Sequence, residues 1–474
     1  MNLVYGIHDK PKFGQMLVFA FQQVLAILAA TIAVPAIIGN EMSQAAALFG
    51  AGVGTLVYQL FTKFRSPVFL GSSFAFLGSM GAAFAGGVSM ALGYVGMILG
   101  AIFAGLVYVI IAVVVKFAGI NWVKKLMPPV VIGPTVAIIG LSLAGNAVGD
   151  LFAGKVMVEK LTSLIVNGEA VDKAAKVLLD GKELAMSTMV SGCSPYVALI
   201  CGLTTLFAVM MFSAFGKKMM KLIPFILGIL CGYAVAAIFT VIGLATNNVA
   251  LQVINFSVFK DMQIFALPEF TFLTAVKGIN EINGGYIATI AVAYIPVAFV
   301  VFAEHIADHK NLSTIIDQEL LEDPGLHRTL LGDGVGSIAG AFFGGCPNTT
   351  YGESVGCVAI TRNASVVTIT CAAVMCIIMS FFGPFVTFLS TIPNCVMGGV
   401  CVTLYGFIAV SGLKMIQKIN LGASKNLFVV ATILITGVGG LSVSFGKVTL
   451  TTTACALILG IVANLLLSPA KEDA

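Results

Sequence analysis

The feature that most constrains this chain is a series of long apolar stretches that leaves little sequence for a soluble surface. Hydrophobic residues make up 59% of the 474 residues and charged residues only 10%, whereas soluble domains carry about 25% charged residues. A helix that spans a membrane needs about 20 mostly apolar residues. The chain is therefore predicted to be an all-α polytopic membrane protein and not a string of soluble domains.

Windows of that length give fourteen candidate transmembrane segments, numbered here 1 to 14 in chain order. Segments 3 and 10 are short and rich in Gly, Ser, Asn and Thr, and neither pattern is typical of a plain helix. The fourteen predicted ranges are 14–38, 43–62, 68–86, 90–116, 127–148, 195–215, 222–245, 284–307, 328–345, 348–361, 364–382, 395–413, 426–444 and 449–468.

The distribution of Lys and Arg predicts the orientation, because short cytoplasmic loops carry an excess of both. If both termini are cytoplasmic, 17 of the 25 basic residues fall on the cytoplasmic side. Seven of the other eight lie in two long outer connections, 149–194 and 246–283, and long loops carry little weight in this rule. The charge pattern thus supports an even number of segments with both termini in the cytoplasm.

Composition and motifs argue against several classes of function. The net charge of +4 is small and no basic run is interleaved with aromatic residues, so we expect no nucleic-acid partner. The ten Cys are scattered without a CxxC or Cys/His cluster, which predicts neither a metal site nor a disulfide framework. Because no nucleophile motif or phosphate-binding loop stands in a suitable context, a membrane enzyme is the least favoured class.

The two halves of the chain resemble each other weakly. MPPVVIGPTVAIIG begins at Met127 and IPNCVMGGVCVTLYG begins at Ile392, and each comes two segments after a short, broken one. Because seven is an odd number, a repeat of seven segments would be inverted in the membrane. Paired segments interrupted by Gly and Pro in two halves indicate a transporter binding site, which places the predicted site at segments 3 and 10.

Two glutamates lie within or at the end of apolar stretches, where an ionisable side chain is a functional candidate. Glu304 ends the run IATIAVAYIPVAFVVFAEH, and Asp308 follows one helical turn later, on the same face if the helix continues. Glu353 lies in CPNTTYGESVGCVAITR, between apolar flanks. The alternative for Glu304 and Asp308 is a helix end at the cytoplasmic surface. Most other acids, including Asp333, are assigned to loops or segment ends.

The stretch around Glu353 combines hydrogen-bond donors with an acceptor. A broken span leaves unpaired backbone groups, which are tolerated only inside protein or beside a watery cavity. A half-helix that starts near Gly352 would present N–H groups and a partial positive charge at its start, and the Glu353 carboxylate would accept hydrogen bonds. This combination matches a ligand edge that alternates N–H and C=O, as in a uracil-type base. GSSFAF, residues 71–76, would supply a mirrored half.

At these residues the sequence resembles the nucleobase–ascorbate transporters, also called nucleobase:cation symporter-2 proteins, and in particular their bacterial uracil permease branch. The resemblance covers nearly the whole chain. It is carried by FLGSSFAF at 69–76, AEHIADH at 303–309, LEDPGLHR at 321–328, PNTTYGE at 347–353 and LYGFIAVSG at 404–412.

The resemblance implies fourteen segments in two inverted repeats of seven, with a short strand in each of segments 3 and 10. It also implies two domains that each draw on both halves, and often a homodimer. The core domain would comprise residues 1–125 (segments 1–4) and 251–390 (segments 8–11). The gate domain would comprise residues 126–250 (segments 5–7, with the outer loop at about 149–194) and 391–474 (segments 12–14).

The resemblance also implies a substrate site beside the two strands. It would be formed by the carboxylates of Glu304 and Glu353 and by the backbone N–H groups of Phe74 and Gly352. Ala30 and Tyr351 would pack nearby, and Tyr405 would face the site from the gate. The chain departs from some relatives at two positions of the proton network, because Asp308 and Gln23 stand where those relatives have His.

The function implied is import of uracil across the bacterial cytoplasmic membrane together with a proton, by alternating access and without a cofactor. Glu304 is the candidate carrier of the proton, since burial disfavours the charged form of a carboxyl group, and Asp308 adjoins it. Sodium is the alternative coupling ion. A xanthine or urate permease is the alternative substrate class, which the PNTTYGE form disfavours. An anion exchanger of related fold is disfavoured because two buried carboxylates would repel its substrate.

Overall fold

A computed structural model describes residues 3–119, 121–152, 193–217, 219–445 and 448–468, with six short strands between residues 155 and 191. Eight described helices are long and apolar enough to cross a membrane. The helical segments are 1, Phe13–Ile38; 2, Gln44–Phe61; 4, Met90–Ala118; 5, Pro129–Ser142 with Ala144–Leu151; 6, Pro195–Phe215; 7, Pro224–Ala245; 8, Gly284–Ile316; 9, Leu326–Gly344; 11, Val366–Ser380; 12, Asn394–Ile416; 13, Ser424–Val438; and 14, Thr452–Leu466.

Segments 3 and 10 are each a short strand followed by a half-helix, which confirms the predicted interruption of both. The strands pair antiparallel, with Leu70 opposite Thr350 and Ser72 opposite Asn348. Equivalent elements from two halves of opposite orientation are expected to meet in this way. The elements are strand Leu70–Ser72, 3-10 turn Phe74–Phe76 and helix Leu77–Ala83 in segment 3, and strand Asn348–Thr350 and helix Gly352–Thr361 in segment 10.

Several long helices begin at a polar side chain that satisfies a backbone donor of the first turn. Asn283 accepts a hydrogen bond from Tyr286 N at 2.9 Å, at the start of segment 8. Ser89 accepts one from Leu92 N at 3.0 Å, at the start of segment 4. Ser, Thr, Asn and Asp are the residues preferred at this position, and they set the helix starts within sequence that is otherwise uniformly apolar.

The segments pack in two groups of neighbours. Segment 2 packs against segments 9 and 11, and segment 4 against segments 8 and 9, whereas segment 12 packs against segments 5 and 6 and segment 13 against segments 5 and 14. Small residues allow the closest contact: a β-carbon on Gly54 would lie 2.8 Å from Gly336 O, and one on Gly336 would lie 2.7 Å from Gly54 O. Such close backbone approach is characteristic of helix pairs in membranes.

The boundaries differ from the predicted ones in three places. Segment 8 continues to Ile316 instead of ending near residue 307, so Glu304 and Asp308 lie within a helix of 33 residues and not at its end. Segment 5 is interrupted at Leu143 and continues to Leu151. The predicted spans 426–444 and 449–468 are shorter, because Val443–Phe445 and Val448–Leu450 form an antiparallel hairpin between them. A hydropathy window does not detect the alternation of apolar and polar side chains that is typical of a strand.

The two long connections contain secondary structure of their own. Residues 246–283 include the 3-10 turns Val249–Leu251, Phe256–Asp261 and Val276–Glu281 and the short helix Thr271–Ala275. The predicted loop 149–194 lies largely outside the described residues. Within it, three pairs of short antiparallel strands are described: Lys155–Val156 with Val190–Ser191, Leu164–Val166 with Glu169–Val171, and Leu178–Leu179 with Lys182–Glu183.

Candidate functional site

The paired strands of segments 3 and 10 are held in place by hydrogen bonds to segment 2. Thr55 Oγ1 accepts from Leu70 N at 2.9 Å, and its one hydrogen has two acceptors within reach, Ala51 O at 2.8 Å and Leu70 O at 3.2 Å. Asn348 Nδ2 donates to Gly50 O at 3.0 Å. Because all of these groups are buried, the hydrogen bonds replace those that water would otherwise supply. The two strands thus form a fixed element inside the protein.

Two half-helices start next to these strands, and their first backbone donors lack a capping side chain. Tyr351 precedes the half-helix that begins at Gly352 and makes no side-chain cap hydrogen bond. Ser73 precedes the turn that begins at Phe74 and also makes none. Gly352 is exposed whereas Tyr351 is buried. A helix start carries free N–H groups and partial positive charge, so each half-helix offers donors to a ligand.

Three carboxyl groups lie near the start of the half-helix in segment 10. Glu304, Asp308 and Glu353 are all half-buried, and Glu304 is within electrostatic reach of the other two. Thr350 Oγ1 donates to Asp308 Oδ2 at 2.7 Å, and a β-carbon on Gly352 would lie 3.9 Å from Asp308 Oδ1. Within the described residues the carboxyl group of Glu304 forms no hydrogen bond, so it remains available to a ligand.

The remaining predicted site residues border the same place. The Phe74 ring meets the Tyr405 ring of segment 12 edge to face, with ring centres 5.7 Å apart. The Tyr351 hydroxyl donates to Ser72 O at 2.8 Å, which locks its ring across the strand pair. Ala30 is buried in segment 1, which packs against both the strand of segment 3 and the half-helix of segment 10. Carboxylate acceptors and backbone donors are thereby brought together beside aromatic rings.

A polar contact that the sequence did not suggest ties three segments together behind the site. Ser354 Oγ accepts hydrogen bonds from the Gln23 side-chain amide of segment 1 and from Phe69 N, the latter at 3.2 Å. All three groups are buried. Gln23 of segment 1 is therefore hydrogen-bonded to segment 10 through the Ser354 hydroxyl. In the sequence, the feature that could have indicated this contact is the side-chain amide inside the apolar run FAFQQVLAIL.

The assignment of Asp333 to a segment end was wrong. Asp333 is fully buried inside segment 9, and its Oδ2 lies 2.7 Å from Nδ1 of the equally buried His305. A buried carboxyl group is tolerated when it is paired and hydrogen-bonded, and His305 supplies that partner from segment 8. The signal was present in LLGDGVGSIAG, where the acid interrupts a run of apolar and small residues.

The matching family model is described as the permease family (Xan_ur_permease) and covers residues 14–191 and 192–445. Among curated relatives, a uracil permease of Bacillus subtilis is 35% identical over 473 residues, covering 99% of this chain and 96% of the relative. A uracil permease of Escherichia coli K12 is 32% identical, covering 96% and 92%. A putative pyrimidine permease, RutG, of the same organism is 30% identical, covering 98% and 92%.

Solved structures with the same fold are more distant in sequence. The transmembrane domain of the cyanobacterial bicarbonate transporter BicA superimposes with a TM-score of 0.60 at 15% identity, covering 97% of this chain and all of that domain. Murine SLC26A9, an anion transporter in its inward-facing state, also gives 0.60, at 12% identity, covering 97% of this chain and 69% of that protein. At these identities the likeness establishes the fold alone.

Proposed function

The chain belongs to the nucleobase:cation symporter-2 permease family, and from that membership we propose that it imports uracil together with a proton. Its membership of a permease family and its many apolar helices make it a multi-pass membrane protein with a small-molecule substrate. Uracil as the cargo rests on the permeases of Bacillus subtilis and Escherichia coli, which match over nearly their whole length. We place it in a bacterial cytoplasmic membrane with both termini inside, as its basic residues favour.

The observation that carries the proposal is the junction of the two broken segments, where uncapped backbone donors and carboxyl groups lie near each other. Uracil presents N–H and C=O groups in turn along one edge. In the proposed complex the Glu353 carboxylate accepts from base N–H groups, and the free N–H groups at Gly352 and Phe74 donate to base carbonyls. Glu304 adds a second carboxyl group from segment 8. The described residues include no buried Lys or Arg, and this supports a neutral base over an anion as substrate.

Transport would proceed by movement of the core against the gate. The core, segments 1–4 and 8–11, would carry the site, and the gate, segments 5–7 and 12–14, would alternately cover its two sides. The two groups of packed neighbours support this division, and the Phe74–Tyr405 ring contact would lie on the boundary between them. A homodimer, as the family resemblance implies, would anchor one domain while the other moves.

Radiolabelled uracil uptake into proteoliposomes tests the proposal. We expect accumulation of uracil when the outside is made acidic, and no further gain from an added sodium gradient. Unlabelled uracil should compete, whereas xanthine and urate should not. Competition by xanthine equal to that by uracil would favour the purine permease, and chloride or sulfate movement without uracil uptake would favour the anion exchanger.

Replacing the candidate proton carrier should remove the response of uptake to pH. In Glu304→Gln the amide keeps the size and one acceptor of the side chain but can neither gain nor lose a proton in this range. We therefore expect uracil exchange to persist and the dependence of uptake on outside pH to disappear. Initial uptake rates measured across a pH series would show this. The exposed Glu319→Gln serves as control, and a full pH response in Glu304→Gln would exclude Glu304 as carrier.

A further inference from the structure

Two linkers join the proposed core and gate on one side of the membrane. The first linker, residues 246–283, connects segment 7 with segment 8, and the second linker, residues 381–393, connects segment 11 with segment 12. Both lie on the same side because segments 8 to 11, an even number of crossings, separate them. In the structure the two linkers contact each other, so these connections between the proposed domains are not independent.

A short antiparallel pairing joins the two linkers. Ala266 N donates to Phe381 O at 2.9 Å, and Gly383 N donates to Ile264 O at 2.9 Å. Backbone hydrogen bonds of this kind fix the distance and the register of two chain segments, so the linkers are joined here like two strands of a sheet. We call the paired residues the linker joint; they are residues 264–266 and 381–383.

Aromatic rings attach the linker joint to the core. The Phe381 ring packs edge to face against Phe49 of segment 2, with ring centres 5.7 Å apart, and the Phe265 ring stacks on Phe381 at 5.4 Å. Phe270, further along the first linker, packs against Phe49 at 4.9 Å and against Phe343 of segment 9 at 5.6 Å. Such ring pairs add to the stabilisation from burial, so the linker joint and the chain after it follow the core.

The other ends of both linkers are attached to segment 7 of the gate. In the first linker, Val253 N and Ile254 N both donate to Thr240 Oγ1 at 3.0 Å. In the second linker, Thr391 Oγ1 lies 2.9 Å from the Tyr233 hydroxyl. Thr240 and Tyr233 are seven positions apart in one helix, which places them on the same face. The two linkers therefore leave the gate from one face of one helix.

Two short elements lie between these gate attachments and the linker joint. In the first linker it is the 3-10 turn Phe256–Asp261, whose cap Asn255 accepts from Ser257 N at 3.0 Å. Among the groups of this turn that the structure describes, none forms a hydrogen bond with another element. In the second linker it is the helix Gly383–Ser390, which starts at the linker joint and ends beside the Tyr233 ring. The turn and the helix pack against each other.

We propose that the linker joint moves with the core and that the two linkers act as a single hinge, an inference that rests on the proposed movement of the core against the gate. Bending is then confined to the turn Phe256–Asp261 and the helix Gly383–Ser390. Hinges are a few residues in loops or at element ends that absorb the change in backbone angles. Because both elements run from the linker joint to segment 7, they bend together and give the core one pivot on this side of the membrane.

A cross-link within the linker joint tests the inference in proteoliposomes. Phe265 and Phe382 are opposite each other and exposed. In an antiparallel pair of this type the α-carbons are about 4.5 Å apart, a distance that suits a disulfide. Diamide should therefore oxidise Phe265→Cys with Phe382→Cys to the disulfide. Uracil uptake by the cross-linked protein should stay within about twofold of that after reduction by dithiothreitol, as for exposed substitutions generally. Wild type treated alike controls for the native thiols.

A second pair shows that cross-linking detects movement. A β-carbon on Gly78 of segment 3 would lie 3.9 Å from Thr451 Cγ2 at the start of segment 14, so Gly78→Cys with Thr451→Cys joins core and gate directly. Oxidation should stop uptake by this variant, and dithiothreitol should restore it. Uptake that continued would overturn the proposed movement of core against gate. The single hinge would be overturned if the linker-joint disulfide failed to form, or if forming it stopped uptake until reduction.

Gly383→Ala tests the linker joint without a cross-link, because a β-carbon there would overlap Gln263 O and force the linkers apart. With two independent linkers the core loses its pivot, so we expect uptake to slow at least about fivefold, the equivalent of one lost hydrogen bond, while uracil affinity stays as in wild type. Gly284→Ala, at the end of the first linker, is the matched control, since a β-carbon there meets no atom within 4 Å. Wild-type uptake by Gly383→Ala would overturn the inference.

Discussion

Glu353→Ala is expected to abolish uracil binding. The carboxylate lies in the first turn of the half-helix in segment 10, half-buried beside Asp308 and Glu304. In the proposed complex it accepts hydrogen bonds from the base, and a hydrogen bond to a charged group contributes about 1.5–3 kcal/mol. Loss of two such bonds corresponds to a dissociation constant at least about 100-fold higher. Equilibrium binding of labelled uracil to the purified protein measures it.

Two further variants separate chemistry from folding in this experiment. Glu353→Gln preserves the volume of the side chain but puts an amide donor where the base also donates, so its affinity should fall nearly as far. Glu322→Ala removes an exposed carboxylate of the connection before segment 9 and should bind uracil like wild type. If Glu353→Ala retained wild-type affinity while Glu322→Ala did too, the base would have to be recognised elsewhere.

The interruption of segment 10 was predictable because local chemistry dictates it. Pro347 lacks a backbone donor and Gly352 tolerates a restart of the helix, and Glu353 has no place in a lipid-facing helix. Local chemistry does not predict which strand the strand of segment 10 pairs with, or the register of that pairing. Both depend on Thr55 of segment 2, which binds Leu70 N of segment 3, and on Asn348 of segment 10, which binds Gly50 O of segment 2.

The roles of segments 8 and 9 were harder to predict, because hydropathy counts a polar residue as unfavourable whatever its partner is. His305 and Asp333 satisfy each other across 28 positions of sequence, and His309 bonds to Tyr58 across 251. Each of these residues alone suggests a helix end at a membrane surface. Together they allow the helix of segment 8 to run on to Ile316, and only the tertiary structure brings them together.

Gly71→Ala is expected to separate the two strands and abolish transport. Gly71 lies opposite Thr349 in the strand pair, and a β-carbon there would overlap the Tyr351 ring. The ring cannot swing aside freely, because it is buried and its hydroxyl donates to Ser72 O at 2.8 Å. Forcing an extra carbon into a packed site costs about 1–3 kcal/mol, and a broken hydrogen bond adds about 1 kcal/mol.

The damage should reach the substrate site, because Tyr351 directly precedes the half-helix start at Gly352. We expect Gly71→Ala to lower the thermal unfolding temperature and to weaken uracil binding at least about tenfold, the equivalent of about 1.4 kcal/mol. Gly356→Ala in the same half-helix is the matched control, because a β-carbon there meets no atom within 4 Å and Ala favours a helix. That control should bind and transport uracil like wild type, and wild-type binding by Gly71→Ala would show that the strands tolerate displacement of Tyr351.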